Sequence, residues 1–320
     1  MTTPLAAAFF LFGIVALWIG GEGIVRSVMS YARVFKVGAF VLSLTLLAAA
    51  TSAPELFFNL FAAVQGKGGI GIGNILGSNI TNFALIFAIA TLFIPLKKRD
   101  EEAVWAYPAL FGVSLFFFLV GLDGVINRFE GVMLIVLFGV WMFLAAKGEH
   151  KKRLLERIGD ALPEHRNPSQ IALITTLFLA SIVLLAGGAE LLVRSIEHFS
   201  AAWNFSPFLL AAFFVALGTS LPELATVLVA VFKKRDDIRS GTIFGSNIFN
   251  LTLVVGVTAL IHPIKFSQTN FLFFALLVIV TTMLVAPIIF NFRFQSRLWS
   301  MLLLASYAFF IIYITTHLIA

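Results

Sequence analysis

Two glutamates carry the most specific chemistry in the sequence. Glu55 ends the run A-T-S-A-P-E and Glu223 ends G-T-S-L-P-E, each deep in an apolar stretch with no basic residue beside it. An acidic side chain at the centre of a membrane helix costs about 3 kcal/mol on insertion scales, so such a residue is functional by default. The bland alternative, a protonated glutamate bonded to a neighbouring helix, would have to arise twice at matching places. Pro54 and Pro222 each remove an intrahelical bond and free a carbonyl one turn upstream. Thr51, Ser52, Thr219 and Ser220 set hydroxyl oxygens beside those carbonyls. Carbonyls, hydroxyls and a carboxylate suit a hard cation, Na+ or Ca2+. The lack of cysteine, and histidines confined to loops and span ends, argue against zinc or copper. In the stretches that follow, G-S-N-I-T-N and G-S-N-I-F-N add Ser78 and Ser246 and the amides of Asn82 and Asn250. One G-S-N is weak evidence, because small residues also serve helix packing. A T-S-x-P-E followed by Asn 31 residues after its Thr, occurring twice, is specific.

These residues need a membrane-spanning frame. The chain has 320 residues, 60% hydrophobic and 12% charged, with a mean hydropathy of +1.01. Soluble domains average about 45–50% apolar and about 25% charged residues, so this is an integral, all-α membrane protein. Ten apolar stretches lie near 5–25, 37–65, 69–95, 103–121, 129–147, 169–195, 205–232, 240–261, 269–290 and 298–319. The first has no Lys or Arg before Arg26, so it lacks the basic start of a cleavable signal peptide and reads as a retained span. Of the 22 Lys and Arg residues, only Lys67, Arg128, Arg194 and Lys265 fall in one set of alternate loops. The rest fall in the other set, which places that set in the cytoplasm and both termini outside, as for a plasma (inner) membrane protein. The net charge of +6 is thus a topology signal, and no nucleic-acid partner is expected.

A shift of 168 residues superimposes the two halves without a gap. Thr51, Ser52, Pro54 and Glu55 fall on Thr219, Ser220, Pro222 and Glu223; Gly77, Ser78, Asn79 and Asn82 fall on Gly245, Ser246, Asn247 and Asn250. Glu22 and Glu190 also correspond, each four residues before an arginine, Arg26 or Arg194. That is the helical spacing of an ion pair, so both read as structural. Five spans per half is an odd number, so the second half must cross with opposite polarity. The expectation is ten transmembrane helices in two inverted five-helix repeats, residues 1–148 and 169–320, joined by a cytoplasmic linker, 149–168. Helices 2, 3, 7 and 8 are expected to be broken, with the site at the midplane as in secondary transporters.

The doubled T-S-x-P-E and G-S-N motifs resemble the two alpha-repeats of the cation/calcium exchanger superfamily, specifically its microbial sodium/calcium exchangers. The motif match covers spans two, three, seven and eight. The resemblance implies that Glu55 and Glu223 bind Ca2+ together with the backbone carbonyls of Thr51 and Thr219. It implies Na+ sites built from Ala48, Ser52, Ser78 and Glu55 on one side and Ala216, Thr219, Ser220 and Ser246 on the other, with Asn82 and Asn250 lining the centre. Some microbial and potassium-dependent relatives carry Asp where this chain has Asn250, which leans against potassium co-transport. The long regulatory domain of animal exchangers has no counterpart in the linker, so regulation through one is not expected. The implied activity is Na+/Ca2+ antiport by alternating access, with Na+ and Ca2+ as substrates in a lipid bilayer, no cofactor and no obligate protein partner.

Other classes stay open at this stage. A Ca2+/H+ or other cation/proton antiporter would use the same glutamates, but relatives of that kind carry an acidic residue near Asn82 and Asn250. An ion channel would fit a closed midplane site poorly. An intramembrane hydrolase would leave Ser52 and Ser220 without a base.

Overall fold

The computed structural model describes residues 1–35, 51–95, 101–145, 168–232, 236–290 and 296–318. The first part of the second span, Ala48 within it, and nearly all of the linker lie outside the described residues. Among the described residues the protein is almost wholly helical, with eight helices long and apolar enough to cross a membrane and a ninth candidate formed by a bent pair. It is a multi-pass integral membrane protein.

The first half comprises α1 (Thr3–Phe35), α2 (Ala53–Val64), α3 (Gly68–Ile80), α4 (Ala88–Phe93), α5 (Glu101–Val120) and α6 (Arg128–Ala145). The second comprises α7 (Pro168–Trp203), α8 (Pro207–Leu210), α9 (Ala216–Thr219), α10 (Leu221–Phe232), α11 (Asp236–Phe249), α12 (Val255–Ile261), α13 (Gln268–Ile289) and α14 (Ser296–His317). Two helices overrun the apolar stretches that foretold them. At 33 and 36 residues, α1 and α7 reach about 50 Å and about 54 Å at 1.5 Å per residue, against an apolar core of about 30 Å. They pack together along their length and cross where Gly13 and Gly188 meet. A Cβ added to either would come within 2.9 or 2.8 Å of the other's carbonyl oxygen.

The helices around the site obey two different local rules. Span seven breaks at Ser220, with a 41° bend between Pro207–Thr219 and Leu221–Phe232. Pro222 cannot donate to the carbonyl of Gly218, and its ring crowds that turn. Ser52 sits at the matching break before Pro54, and the two serines share a backbone conformation, φ −93°, ψ 11° and φ −82°, ψ 4°. Spans three and eight, expected to be broken, instead run on as single helices, Gly68–Phe93 and Ser240–Ile261. They contain no proline. Each passes through a π-helical turn, Thr81–Phe87 or Asn250–Val254, and span seven has another at Ala211–Val215. Such turns admit an extra residue without a break and often mark functional positions.

One face of the bundle gathers both chain ends. Thr3 meets His198 at 3.4 Å, and Ser206 N donates to Leu318 O at 2.8 Å. Lys67 pairs with Glu197 at 2.6 Å. A two-residue antiparallel ladder, β1 (Val125–Ile126) with β2 (Ile264–Lys265), departs from the purely helical expectation. It is completed by Phe266 N donating to Gly124 O at 3.1 Å. Of the four basic residues set apart by the sequence, Lys67 and Lys265 lie in these segments, Arg194 lies one helical turn before His198, and Arg128 starts α6 two residues after β1.

Candidate functional site

The breaks at Ser52 and Ser220 turn Glu55 and Glu223 into first-turn residues of α2 and α10. Both side chains are completely buried, and the two carboxylates lie within electrostatic reach of each other. The ion pairs of the described residues, Arg26–Glu22, Lys67–Glu197 and Arg194–Glu190, all lie elsewhere. The Glu22 and Glu190 pairs are the i, i+4 ion pairs that the spacing predicts. Thr51, Ser52, Ser78, Asn82, Ala216, Thr219, Ser220, Ser246 and Asn250 are likewise buried.

Around Glu223 the hydroxyls close in. Its Oε1 accepts from Ser246 Oγ at 3.0 Å and from Ser52 Oγ at 3.2 Å, so one residue from each half binds it. Thr51 Oγ1 lies 2.9 Å from Ser246 Oγ. Around Glu55 the corresponding hydroxyls of Thr219 and Ser78 lie close to the carboxylate without completing a hydrogen bond. Ser78 Oγ and Thr219 Oγ1 are 3.4 Å apart, while both Glu55 oxygens, Ser220 Oγ and Glu223 Oε2 have no hydrogen-bond partner among the described residues. Three of the four carboxylate oxygens are thus buried acceptors with unused lone pairs, which costs folding free energy unless a donor or a cation supplies the missing interaction.

Asn82 and Asn250 differ in the same way. Asn82 Nδ2 donates to Asn247 Oδ1 at 2.9 Å, whereas both polar atoms of Asn250 lack a partner among the described residues. The Ala216 carbonyl accepts from Ser220 N at 3.0 Å. Close helix packing brings these groups together. A Cβ on Gly77 would fall 1.9 Å from the Ala212 carbonyl oxygen, and one on Gly73 would fall 2.4 Å from that of Phe208. Only glycine lets α3 lie this close to the π turn of span seven.

Asn59, Asn74 and Asn247 also belong to this cluster, although the sequence reading gave them no role. Asn59 Nδ2 donates to the Glu55 carbonyl at 2.8 Å, and Thr219 Oγ1 donates to Asn74 Oδ1 at 3.2 Å. For Asn59 and Asn74 the signal was an amide inside an apolar span whose counterpart 168 residues on is not an amide, Val227 and Thr242; Asn247 instead repeats Asn79. Among the described residues no three His, Cys, Asp or Glu side chains come together, so a bound cation would rely on two carboxylates and neutral oxygens. Ca2+, with six to eight oxygen ligands of mixed kind, and Na+ are compatible with that donor set.

A multi-pass helical bundle that buries two carboxylates within electrostatic reach of each other among neutral oxygens has the make-up of an ion transporter. A family model described as "Sodium/calcium exchanger protein" matches residues 5–147 and 173–316. The chain belongs to this family, and it is a membrane antiporter rather than an enzyme. It is 32% identical over 260 residues to a protein of Alkalimonas amylolytica named as an antiporter, CaxA, covering 81% of this chain and 82% of that one. It is 28% identical over 331 residues to the sodium/calcium exchanger MaX1 of Methanosarcina acetivorans, covering 90% and 92%. A solved structure of the sodium-calcium exchanger NCX_Mj, soaked with 2.5 mM Na+ and 10 mM Sr2+, aligns with a TM-score of 0.60 at 26% identity. That alignment covers 97% of this chain and 99% of the other.

Proposed function

We propose that this protein exchanges Na+ for Ca2+ by alternating access, with Glu55 and Glu223 as the shared charged ligands. The observation that carries the reading is the pair of buried carboxylates that, among the described residues, have no basic partner and leave three oxygens without a hydrogen bond. Two ionised glutamates supply −2, which balances one Ca2+ or two Na+. Binding a third Na+ leaves the loaded site at +1, so three-for-one exchange moves net charge, worth about 2.3 kcal/mol per 100 mV. In this reading Ca2+ is held by both carboxylates and the Thr51 and Thr219 carbonyls. Na+ is held by Ala48, Ser52, Ser78 and Glu55 and by Ala216, Thr219, Ser220 and Ser246, with Asn82 and Asn250 at the centre.

The frame belongs to the same proposal. Residues 1–148 and 169–320 form two inverted five-helix repeats joined by a cytoplasmic linker at 149–168. Both termini face outward from the plasma (inner) membrane. The constant 168-residue offset, the matched serine breaks and the meeting of both chain ends on one face support this arrangement.

The test is ⁴⁵Ca2+ uptake into proteoliposomes driven by an outward Na+ gradient with the potential clamped by valinomycin. Uptake that needs internal Na+ and accelerates at inside-positive potential is expected. Uptake driven by a pH gradient without Na+ would instead establish the proton-coupled alternative, and flux indifferent to voltage would make the exchange electroneutral.

A further inference from the structure

The hydroxyl protons of the site run in opposite directions in its two halves. On the Glu223 side the protons of Ser52 and Ser246 point at the carboxylate. On the Glu55 side Thr219 Oγ1 has two acceptors within reach, Asn74 Oδ1 at 3.2 Å and the Ala216 carbonyl at 3.4 Å. A carbonyl oxygen can only accept, and threonine has one hydroxyl proton. With that proton committed, the 3.4 Å contact between Ser78 and Thr219 has Ser78 as its donor. The chain of bonds therefore runs Ser78 to Thr219 to Asn74, away from Glu55. Asn74 is fully buried on α3, one helical turn before Ser78.

This direction matters for a cation. A hydroxyl can ligate a positive ion only through its lone pairs, so its proton must be held on the far side. The Ser78 lone pairs, the remaining Thr219 lone pair and both Glu55 oxygens are then the acceptors left over. We infer that Asn74 is a positioning residue whose carbonyl oxygen takes the Thr219 proton and so presents the Ser78, Thr219 and Glu55 oxygens as a ready-made cation cradle. Groups that orient a ligand in this way typically change metal affinity about 10–100-fold when removed. The cradle uses Thr219 through its hydroxyl, whereas the proposed Ca2+ contact uses the Thr219 main chain, so Asn74 acts on Na+ more than on Ca2+. This inference rests on the Na+/Ca2+ reading above.

The experiment is calorimetric titration of the purified full chain in detergent with Ca2+, with and without competing Na+. Asn74→Leu is expected to weaken Na+ competition about tenfold while Ca2+ affinity stays within about threefold. Asn74→Ala makes the same comparison should the leucine variant fail to fold. Asn74→Asp keeps an acceptor and loses the amide donor, so it is expected to restore Na+ competition to at least near the wild-type level. In a Thr219→Val background, which has no proton to place, Asn74→Leu is expected to add nothing. Losses that add up in the double variant, an aspartate as defective as the leucine, or equal losses for both ions would each overturn the inference. A wild type that binds Ca2+ without Na+ competition would instead overturn the sodium reading itself, and a wild type that binds neither ion would overturn both.

Discussion

The Glu223 and Glu55 sides of the site are built from matching residues yet make different bonds. Among the described residues Glu223 accepts from two serine hydroxyls, while the Glu55 carbonyl accepts from Asn59 and its carboxylate has the Ser78 and Thr219 hydroxyls close by without a completed hydrogen bond. Asn82 is tied across to Asn247, whereas Asn250 is not. An internal repeat thus supplies equal ligands but unequal constraint. One side is knitted together by the protein, and the other is left open for an ion.

The largest expected effect asks whether the two sides share one ion. Glu55→Gln and Glu223→Gln keep shape and lose charge, and each should lower Ca2+ transport by on the order of 100-fold or more, because Ca2+ affinity tracks the number of charged ligands. Thermal unfolding should stay near wild type. Ca2+ flux at the wild-type rate in either variant would remove that carboxylate from the site.

Ser78→Ala and Ser246→Ala come next. Each should raise the Na+ concentration for half-maximal exchange by about tenfold, roughly 1.4 kcal/mol, with a smaller change for Ca2+. Ser246→Ala should also lower thermal stability more, since Ser246 donates to the Glu223 carboxylate at 3.0 Å while Ser78 makes no such completed bond to Glu55 among the described residues. Equal stabilities would dissolve the asymmetry seen at the serines.

Asn82→Leu leaves the Asn247 carbonyl oxygen without its donor and should cost about 1–3 kcal/mol of stability. Asn250→Leu removes two atoms that have no partner among the described residues, so its melting temperature should hold or rise while ion flux falls. Matching thermal shifts in the two variants would contradict the different roles assigned to these amides.

The smallest effect concerns Asn59, which becomes Val in the other half. Asn59→Val should cost about 0.5–1.5 kcal/mol, read as a shift in thermal unfolding, with Na+ and Ca2+ affinities nearly unchanged. A tenfold loss of either affinity would make Asn59 part of the binding machinery.

Much of this was legible in the sequence because its causes are local. Prolines at fixed offsets dictate the breaks at Ser52 and Ser220, and an unpaired glutamate inside an apolar run announces itself. The long overruns of α1 and α7 were not legible, since residues beyond the apolar window carry no boundary signal once two helices support each other through Gly13 and Gly188. Breaks in spans three and eight were expected with the inverted-repeat arrangement, but these spans hold no proline, and glycine and asparagine weaken a helix without removing a donor; each span passes through a π turn instead. The role of Asn74 emerges only when α3 meets α9 in space, because a hydroxyl's direction depends on acceptors that sequence spacing does not specify, whereas Asn59 bonds the Glu55 carbonyl four residues earlier in its own helix. The ladder between β1 and β2, two residues long, has no periodicity to read.

The measurement that bears most directly on the shared ion site is anomalous diffraction from crystals of the protein soaked in Sr2+ without Na+. One strong peak bridging the carboxylates of Glu55 and Glu223, displaced when Na+ is raised, is the predicted result. A peak that contacts neither glutamate, or one that Na+ leaves in place, would contradict it.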